Sequence, residues 1–126
     1  MESTVHNAYL QGKILCSEPL TLVCLLYDAA LGRVQAARQN LREGDIRARS
    51  EAISKASELI GLLTASLNLD QGKDLANHLL ELYLYMQRRL LEANLKQSDS
   101  ALAEVESLLT VLSQSWHQLA QGATES

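Results

Sequence analysis

The stretch "LYLYMQRRLLEANLKQSD", residues 82–99, carries apolar side chains on more than one side of the helix that it predicts. At about 100° per residue, one apolar stripe of this helix contains Leu75, Leu79, Leu82, Met86, Leu90 and Ala93. A second stripe, centred roughly 130–140° away by the same geometry, contains Leu80, Leu84, Leu91 and Leu95. A helix on the outside of a bundle buries one face. The stretch therefore predicts a helix with a surplus apolar face, and it leaves open which stripe belongs to the core.

Short polar breaks divide the rest of the chain into further helices. Pro19, after Ser17 or Glu18, predicts the start of a first helix, because the first turn tolerates proline. Gly44 predicts the end of that helix, and Asp45 predicts the N-cap of the second. The predicted helices are 18–42, 46–67, 74–96 and 100–121, with Ser98 or Asp99 as the last N-cap, after an N-terminal arm at 1–16 with some apolar content. Short connections force antiparallel neighbours, so we predict an all-α, up-down four-helix bundle in a single domain of 126 residues.

The predicted helices differ in how much of their surface is apolar. The fourth has one seam typical of a core-facing helix, made of Leu102, Val105, Leu109, Leu112, Trp116 and Leu119. The first is apolar around most of its circumference. The second carries Leu59, Leu62 and Leu69 beside a core stripe of Ile46, Ile53, Ala56, Ile60, Leu63 and Leu67. Two explanations stay open: wide helix contacts and the arm cover the surplus, or a partner groove uses it, since exposed apolar patches mark interaction sites and can hold an amphipathic peptide helix.

Composition and charge argue against several classes of protein. The net charge of −4, with acidic and basic residues interspersed, argues against nucleic acid as the main partner. The N-terminus has no signal-peptide pattern, and the longest apolar run, "LTLVCLLYDAAL", is too short for a stable membrane span. Cys16 and Cys24 have no CxxC spacing and are predicted to be reduced thiols. Together these features predict a cytosolic protein.

The chemistry of enzymes and metal sites is missing from the sequence. No Glu is followed by His three positions later, as a di-metal carboxylate bundle requires. The three histidines, His6, His78 and His117, are predicted to be surface residues. No nucleophile elbow or glycine-rich phosphate loop is present. We therefore predict no catalytic residues, no metal and no cofactor.

Polar residues of the opening stretch allow two interpretations each. Arg88 and Arg89 either make intrahelical contacts, Arg88 with Glu92, or pair with a carboxylate of a partner. Asn94, which lies between the two leucine stripes, either bonds a neighbouring helix and fixes register or bonds the main chain of a partner. Tyr83 is predicted in the core or an interface.

Several segments together resemble the FliS family of flagellin export chaperones. They are "NAYLQ" (7–11), "LLYDAAL" (25–31), "EGDIRARSEAISKASELI" (43–60), the opening stretch, and "LAEVESLLTVLSQSW" (102–116). The resemblance implies a cytosolic helical bundle without enzymatic activity. It also implies that the chain binds the disordered C-terminal segment of flagellin, prevents premature polymerisation and delivers flagellin to the flagellar type III export apparatus.

By motif match, the resemblance places the arm tyrosine at Tyr9 and the first-helix pair at Tyr27 and Asp28. The third-helix run corresponds to Tyr83, Tyr85, Met86, Arg88, Arg89, Leu90, Ala93 and Asn94. Two positions depart from the family pattern. Leu84 stands where the family usually has an acidic residue, and Glu18 precedes Pro19 rather than following it.

The apolar surplus and the resemblance together predict a client surface. Its predicted members are Tyr9, Leu10, Tyr27, Leu59, Leu62, Leu80, Tyr83, Leu84, Leu91, Asn94 and Leu95. Three questions stay open: contact with export-gate proteins, whether the arm covers the groove in the free protein, and a homodimer in the absence of client. The alternative function is a helical homodimeric structural or adaptor protein that uses the extra stripes for self-association.

Overall fold

The computed structural model describes residues 12–125, with side chains to residue 122. Within that range the chain forms four long helices: α1 (Leu20–Glu43), α2 (Ile46–Ala65), α3 (Leu69–Lys96) and α4 (Asp99–Glu125). A short helical turn at 12–15 precedes α1. The described residues contain no strand beyond one isolated bridge between Cys16 and Leu67. The all-α prediction is confirmed.

The turn between α1 and α2 uses the two residues that the sequence singled out. Gly44 is the C-cap of α1 in the left-handed conformation (φ 72°), and its N–H bonds the carbonyl oxygens of Asn40 and Leu41. Asp45 caps α2, accepting a hydrogen bond from the Ala48 N–H at 3.1 Å. Pro19 differs from the prediction: it is the N-cap, with φ −57° and ψ 145°, so α1 begins at Leu20 and not at residue 18.

The second connection is shorter than predicted. The Asn68 side chain accepts a hydrogen bond from the Gln71 N–H at 3.2 Å and so starts a helical turn inside the predicted connection. Lys73, with φ 51° and ψ −129°, separates this turn from the body of α3. The predicted start at residue 74 corresponds to that break. Two other helix ends differ from the prediction: α2 ends at Ala65 and not at residue 67, and α4 continues to Glu125 and not only to residue 121.

Each long helix packs against two others. α1 lies against α2 and α4, and α3 lies against the same two helices. Along α1 and α4, Arg38 bonds Asp99 while Asp28 bonds His117, so these two helices run in opposite directions. The opening stretch therefore occupies the corner of the bundle diagonal to α1.

The first of the two stripes on α3 belongs to the core. Its buried members are Leu79, Met86, Leu90 and Ala93, and Tyr83 is buried with them. The predicted seam of α4 is buried or partly buried along its length. The prediction that Ile46 belongs to the core stripe of α2 is wrong, because Ile46 is 61% exposed; Leu75, of the first α3 stripe, is also 50% exposed. Ile46 is the first residue of α2, and Leu75 follows the break at Lys73, so both lie at helix ends.

The chain that leads into α1 is bonded to the α2–α3 connection. The Ser17 N–H donates to the Ser66 carbonyl oxygen, and the Asn68 N–H donates to the Leu15 carbonyl oxygen, both at 2.8 Å. Leu15 is buried in the core. A Cβ added to Gly72 would lie 3.1 Å from the Leu15 Cδ2 atom, so these segments are in close contact. We name residues 12–17 the strap.

By length and composition alone, α1 is long and apolar enough to cross a membrane. The core helices of soluble proteins can be equally long and apolar. The buried side of α1 includes Val23, Tyr27, Ala30 and Val34, which is what a core helix requires.

Candidate functional site

The second stripe on α3 lies outside the core. Leu84, Leu91 and Leu95 are 43%, 60% and 74% exposed, and Leu80 is partly buried. By the rise and rotation of an α-helix, these four side chains fall within about 60° of one another. We name them the α3 leucine ridge. The structure thus separates the two stripes: one packs in the core, and the other is largely exposed.

The ridge lies on the flank of α3 that adjoins α2. Between the core stripe and the ridge, Gln87 donates a hydrogen bond to the Ser57 carbonyl oxygen at 2.9 Å. On α2 itself, Arg47 pairs with Glu51 at 3.3 Å across exposed side chains. The exposed surface of α2 therefore carries charged side chains as well as Leu62, whereas the ridge on α3 consists of leucines.

Asn94 joins α3 to α2. Its side-chain oxygen accepts hydrogen bonds from the Arg49 Nε at 3.2 Å and from the Ser50 Oγ at 3.1 Å. Arg49 is only 5% exposed, and no carboxylate bonds it within the described part of the chain. These bonds favour the interpretation that Asn94 fixes the register of two helices.

The two arginines of the opening stretch have different surroundings. Arg89 pairs with Glu92 at 2.8 Å and with Glu104 of α4 at 2.9 Å, and Lys96 pairs with Glu92 at 3.3 Å. The hydrogen bond from Arg89 lowers the pKa of Glu92. The predicted contact of Arg88 with Glu92 is wrong, because Arg89 and Lys96 occupy that carboxylate.

Tyr27 and Tyr83 belong to the core and not to the predicted client surface. Their exposed fractions are 0% and 1%, and their hydroxyl groups share a hydrogen bond across the bundle from α1 to α3. Trp116 lies against the Tyr27 ring with 6.2 Å between centroids. Burial raises the pKa of Tyr27 to about 12 and raises the pKa of Tyr83 as well.

The remaining predicted surface residues fall into three groups. Leu62 is 54% exposed on α2, whereas Leu59 is partly buried against the core. Tyr9 and Leu10 lie outside the described residues.

The prediction missed Leu22 and Leu25, which are 39% and 65% exposed on α1. The signal for them was the apolar circumference of the first helix.

Asp28, the polar member of the first-helix pair, connects α1 with α4. It accepts a hydrogen bond from the Ser113 Oγ at 2.9 Å, and His117 Nε2 lies 2.9 Å from its other oxygen.

The buried cysteines, Cys16 and Cys24, are free thiols, and burial raises the pKa of each. No group of three metal-binding side chains occurs in the part of the chain that is described. The arrangement combines an exposed apolar surface with polar contacts that hold helices together.

The sequence of this chain is similar to proteins of one family along nearly its whole length. The family profile described as "Flagellar protein FliS" matches residues 1–123. The flagellar secretion chaperone FliS of Salmonella typhimurium (strain LT2) is 38% identical over 116 residues, which cover 91% of this chain and 86% of that protein. The protein of the same name from Bacillus subtilis (strain 168) is 32% identical over 116 residues, which cover 92% of this chain and 86% of that protein. The protein of the same name from Escherichia coli (strain K12) is 30% identical over 110 residues, which cover 86% of this chain and 81% of that protein.

Proposed function

We propose, because this chain belongs to the FliS family of flagellar proteins, that it is a cytoplasmic secretion chaperone which binds the C-terminal segment of flagellin. The names of its relatives describe a chaperone and not an enzyme. Bound in this way, the segment is kept from premature polymerisation. The chaperone then delivers flagellin to the flagellar type III export apparatus.

The observation that carries this proposal is the α3 leucine ridge. Leu84, Leu91 and Leu95 keep about half or more of their side-chain surface in contact with water. A chain that only had to fold would gain nothing from exposing three leucines in a row on one side of a helix. An amphipathic helix laid along the ridge removes this surface from water.

The magnitude of the burial limits how much of the bundle the client covers. Covering the exposed parts of the three leucines contributes about 3–5 kcal/mol. Ordering a disordered client segment costs about 2–5 kcal/mol. The ridge alone therefore roughly cancels the ordering cost, and stable binding requires further apolar surface. Leu62 on α2 and Leu25 on α1, both more than half exposed, provide such surface.

A titration with matched variants tests the proposal. A peptide of the flagellin C-terminal segment is titrated into the full chain by calorimetry, and helix content is followed by circular dichroism. We expect one-to-one binding, added helix, and loss of binding in Leu91→Asp and Leu95→Asp. Val111→Asp is the control, because Val111 on α4 is 60% exposed, as Leu91 is, and lies outside the ridge.

Two results contradict the proposal. Absence of both heat and added helix with the wild-type chain shows that flagellin is not the client. A dimer in sedimentation experiments that persists on dilution, ignores the peptide and dissociates in Leu91→Asp favours self-association instead. Unfolding of Leu91→Asp at neutral pH would place that leucine in the core, since a buried unpaired charge is strongly destabilising.

A further inference from the structure

Arg88 interrupts the α3 leucine ridge. Leu84, Arg88, Leu91 and Leu95 follow one another at intervals of four, three and four residues, the spacing of one side of an α-helix. Arg88 is exposed, as its neighbours on the ridge are. A partner helix that covers the leucines on both sides must also cover this guanidinium.

Arg88 has no hydrogen bond or ion pair among the described residues. Glu92, the carboxylate one turn further along α3, bonds Arg89 at 2.8 Å and Lys96 at 3.3 Å. Glu104 of α4 bonds Arg89 at 2.9 Å and also Tyr85. The acidic residues of this network are therefore engaged elsewhere, and none of the described carboxylates pairs with Arg88.

Covering an unpaired arginine is costly. A guanidinium that loses its water without gaining a partner pays a desolvation penalty that apolar burial by the neighbouring leucines would have to offset. Truncating one member of a buried charge pair at an interface has a large effect for the same reason. A client without a matching anion would be disfavoured by Arg88.

We propose that Arg88 is a specificity-determining residue, which selects a client helix carrying an aspartate or glutamate within its apolar face. The guanidinium offers a planar set of N–H donors that fits a carboxylate with two parallel hydrogen bonds. This inference rests on the proposed function, because it assigns the chemistry of the segment that covers the ridge.

The dimensions of the ridge describe the segment further. From Leu80 to Leu95 the ridge spans 15 residue steps of α3, or about 22 Å. A client helix of about four turns matches this length. The acidic residue should stand near the middle of the segment, with apolar residues one turn before and after it, because Arg88 lies between Leu84 and Leu91.

The test is a double-mutant cycle between chaperone and client. Each Asp and Glu of the flagellin C-terminal peptide is replaced singly by Asn or Gln, and every peptide is titrated into the wild-type chain and into Arg88→Met. Methionine keeps a long unbranched side chain and removes the charge. Arg33→Met is the matched control, since Arg33 is also exposed but lies on α1.

We expect one peptide substitution to weaken binding to the wild-type chain by about 10- to 100-fold, the range of a lost charged hydrogen bond. The same substitution should have little effect on Arg88→Met. Arg88→Glu should lose binding to the natural peptide and regain it when that acidic residue becomes Lys. Arg33→Met should bind as the wild type does.

Two failures are distinguishable. The natural peptide binding Arg88→Met as well as the wild type, or more tightly, would overturn the selective role of Arg88 while the proposed function stands. The same holds if every peptide substitution changes the binding free energy equally for the wild type and for Arg88→Met. If the natural peptide does not bind the wild-type chain, the proposed function fails and this inference fails with it. Circular dichroism of each variant confirms that the helices are retained.

Discussion

Replacing the hydroxyl groups at the centre of the bundle is expected to reveal an energetic link between α1 and α3. The changes are Tyr27→Phe, Tyr83→Phe and the double variant, each of which keeps the aromatic ring and therefore creates no cavity. The two hydroxyls bond each other in the core, so each single variant leaves one buried hydroxyl without its partner.

The magnitudes follow from the polar groups that each change leaves without a partner. An unsatisfied buried polar group costs about 1–3 kcal/mol. Tyr83→Phe leaves the Tyr27 hydroxyl unpaired and Tyr27→Phe leaves the Tyr83 hydroxyl unpaired, so we expect each single variant to lose about 1–3 kcal/mol of unfolding free energy. In the double variant both hydroxyls are gone, and the total loss should be smaller than the sum of the two single losses by about 1 kcal/mol.

Urea denaturation followed by circular dichroism measures these differences. With an m-value of about 1.5–2 kcal/mol per M, each single variant should lower the midpoint by about 0.5–2 M. An unchanged m-value would show that the variants unfold from the same compact state.

Two outcomes would refute this reasoning. If the losses in the single variants add up to the loss in the double variant, the hydroxyls do not interact. If neither single variant shifts the midpoint, the hydrogen bond between the two hydroxyls does not stabilise the fold.

Three further predictions concern the backbone break, alkaline pH and acidic pH. Lys73→Gly should raise the free energy of unfolding by about 1 kcal/mol, because glycine adopts φ 51° without strain; Lys73→Ala should bring no such gain in thermal melts. The pKa of Tyr27 is raised to about 12 in the folded chain, against about 10 in the unfolded chain. The contribution of Tyr27 to stability is therefore complete below about pH 10 and is lost as the pH rises through the folded pKa. Ellipticity should therefore fall at alkaline pH in the wild type, and less so in the double phenylalanine variant. A bidentate hydrogen bond from Arg38 lowers the pKa of Asp99, so the contribution of Asp99 is complete above about pH 4 and is lost as the pH falls through the folded value. Because this pair is partly exposed, Asp99→Asn should cost only a few tenths of a kcal/mol, and urea titrations at neutral and acidic pH should show that difference disappearing in acid.

The residues that begin and end helices were predictable because their chemistry is local. Gly44 alone can relax into the left-handed conformation at the end of α1, and Asp45 caps the helix that follows. Ser98, one of two candidates for the last N-cap, accepts a hydrogen bond from the Ala101 N–H. The Asn68 turn was missed, since Gly72 and Lys73 suggested a loop while the cap at Asn68 had already started a helix.

The faces of α3 were predictable, but their roles were not. A rotation of about 100° per residue separates the stripe of Met86 from the stripe of Leu91 whatever surrounds the helix. Which stripe faces the core depends on where the other helices lie, and the sequence of α3 does not contain that information. Tyr83 illustrates the same limit. Its ring suits an interface as well as a core, and only the partner hydroxyl of Tyr27 on the diagonal helix decides between them.

The strap has a consequence for how this protein can be shortened. The strap is held to the α2–α3 connection only by non-covalent contacts, namely its hydrogen bonds and the packing of Leu15. A fragment that begins at Pro19 keeps all four long helices but removes the buried Leu15 side chain and the donor that bonds Ser66. The helical turn that begins at Leu69 is already separated from the body of α3 by Lys73, and it would then lose its contacts with Leu15. Fragments intended for crystallisation or peptide titration should therefore retain the chain from Gly12 onward.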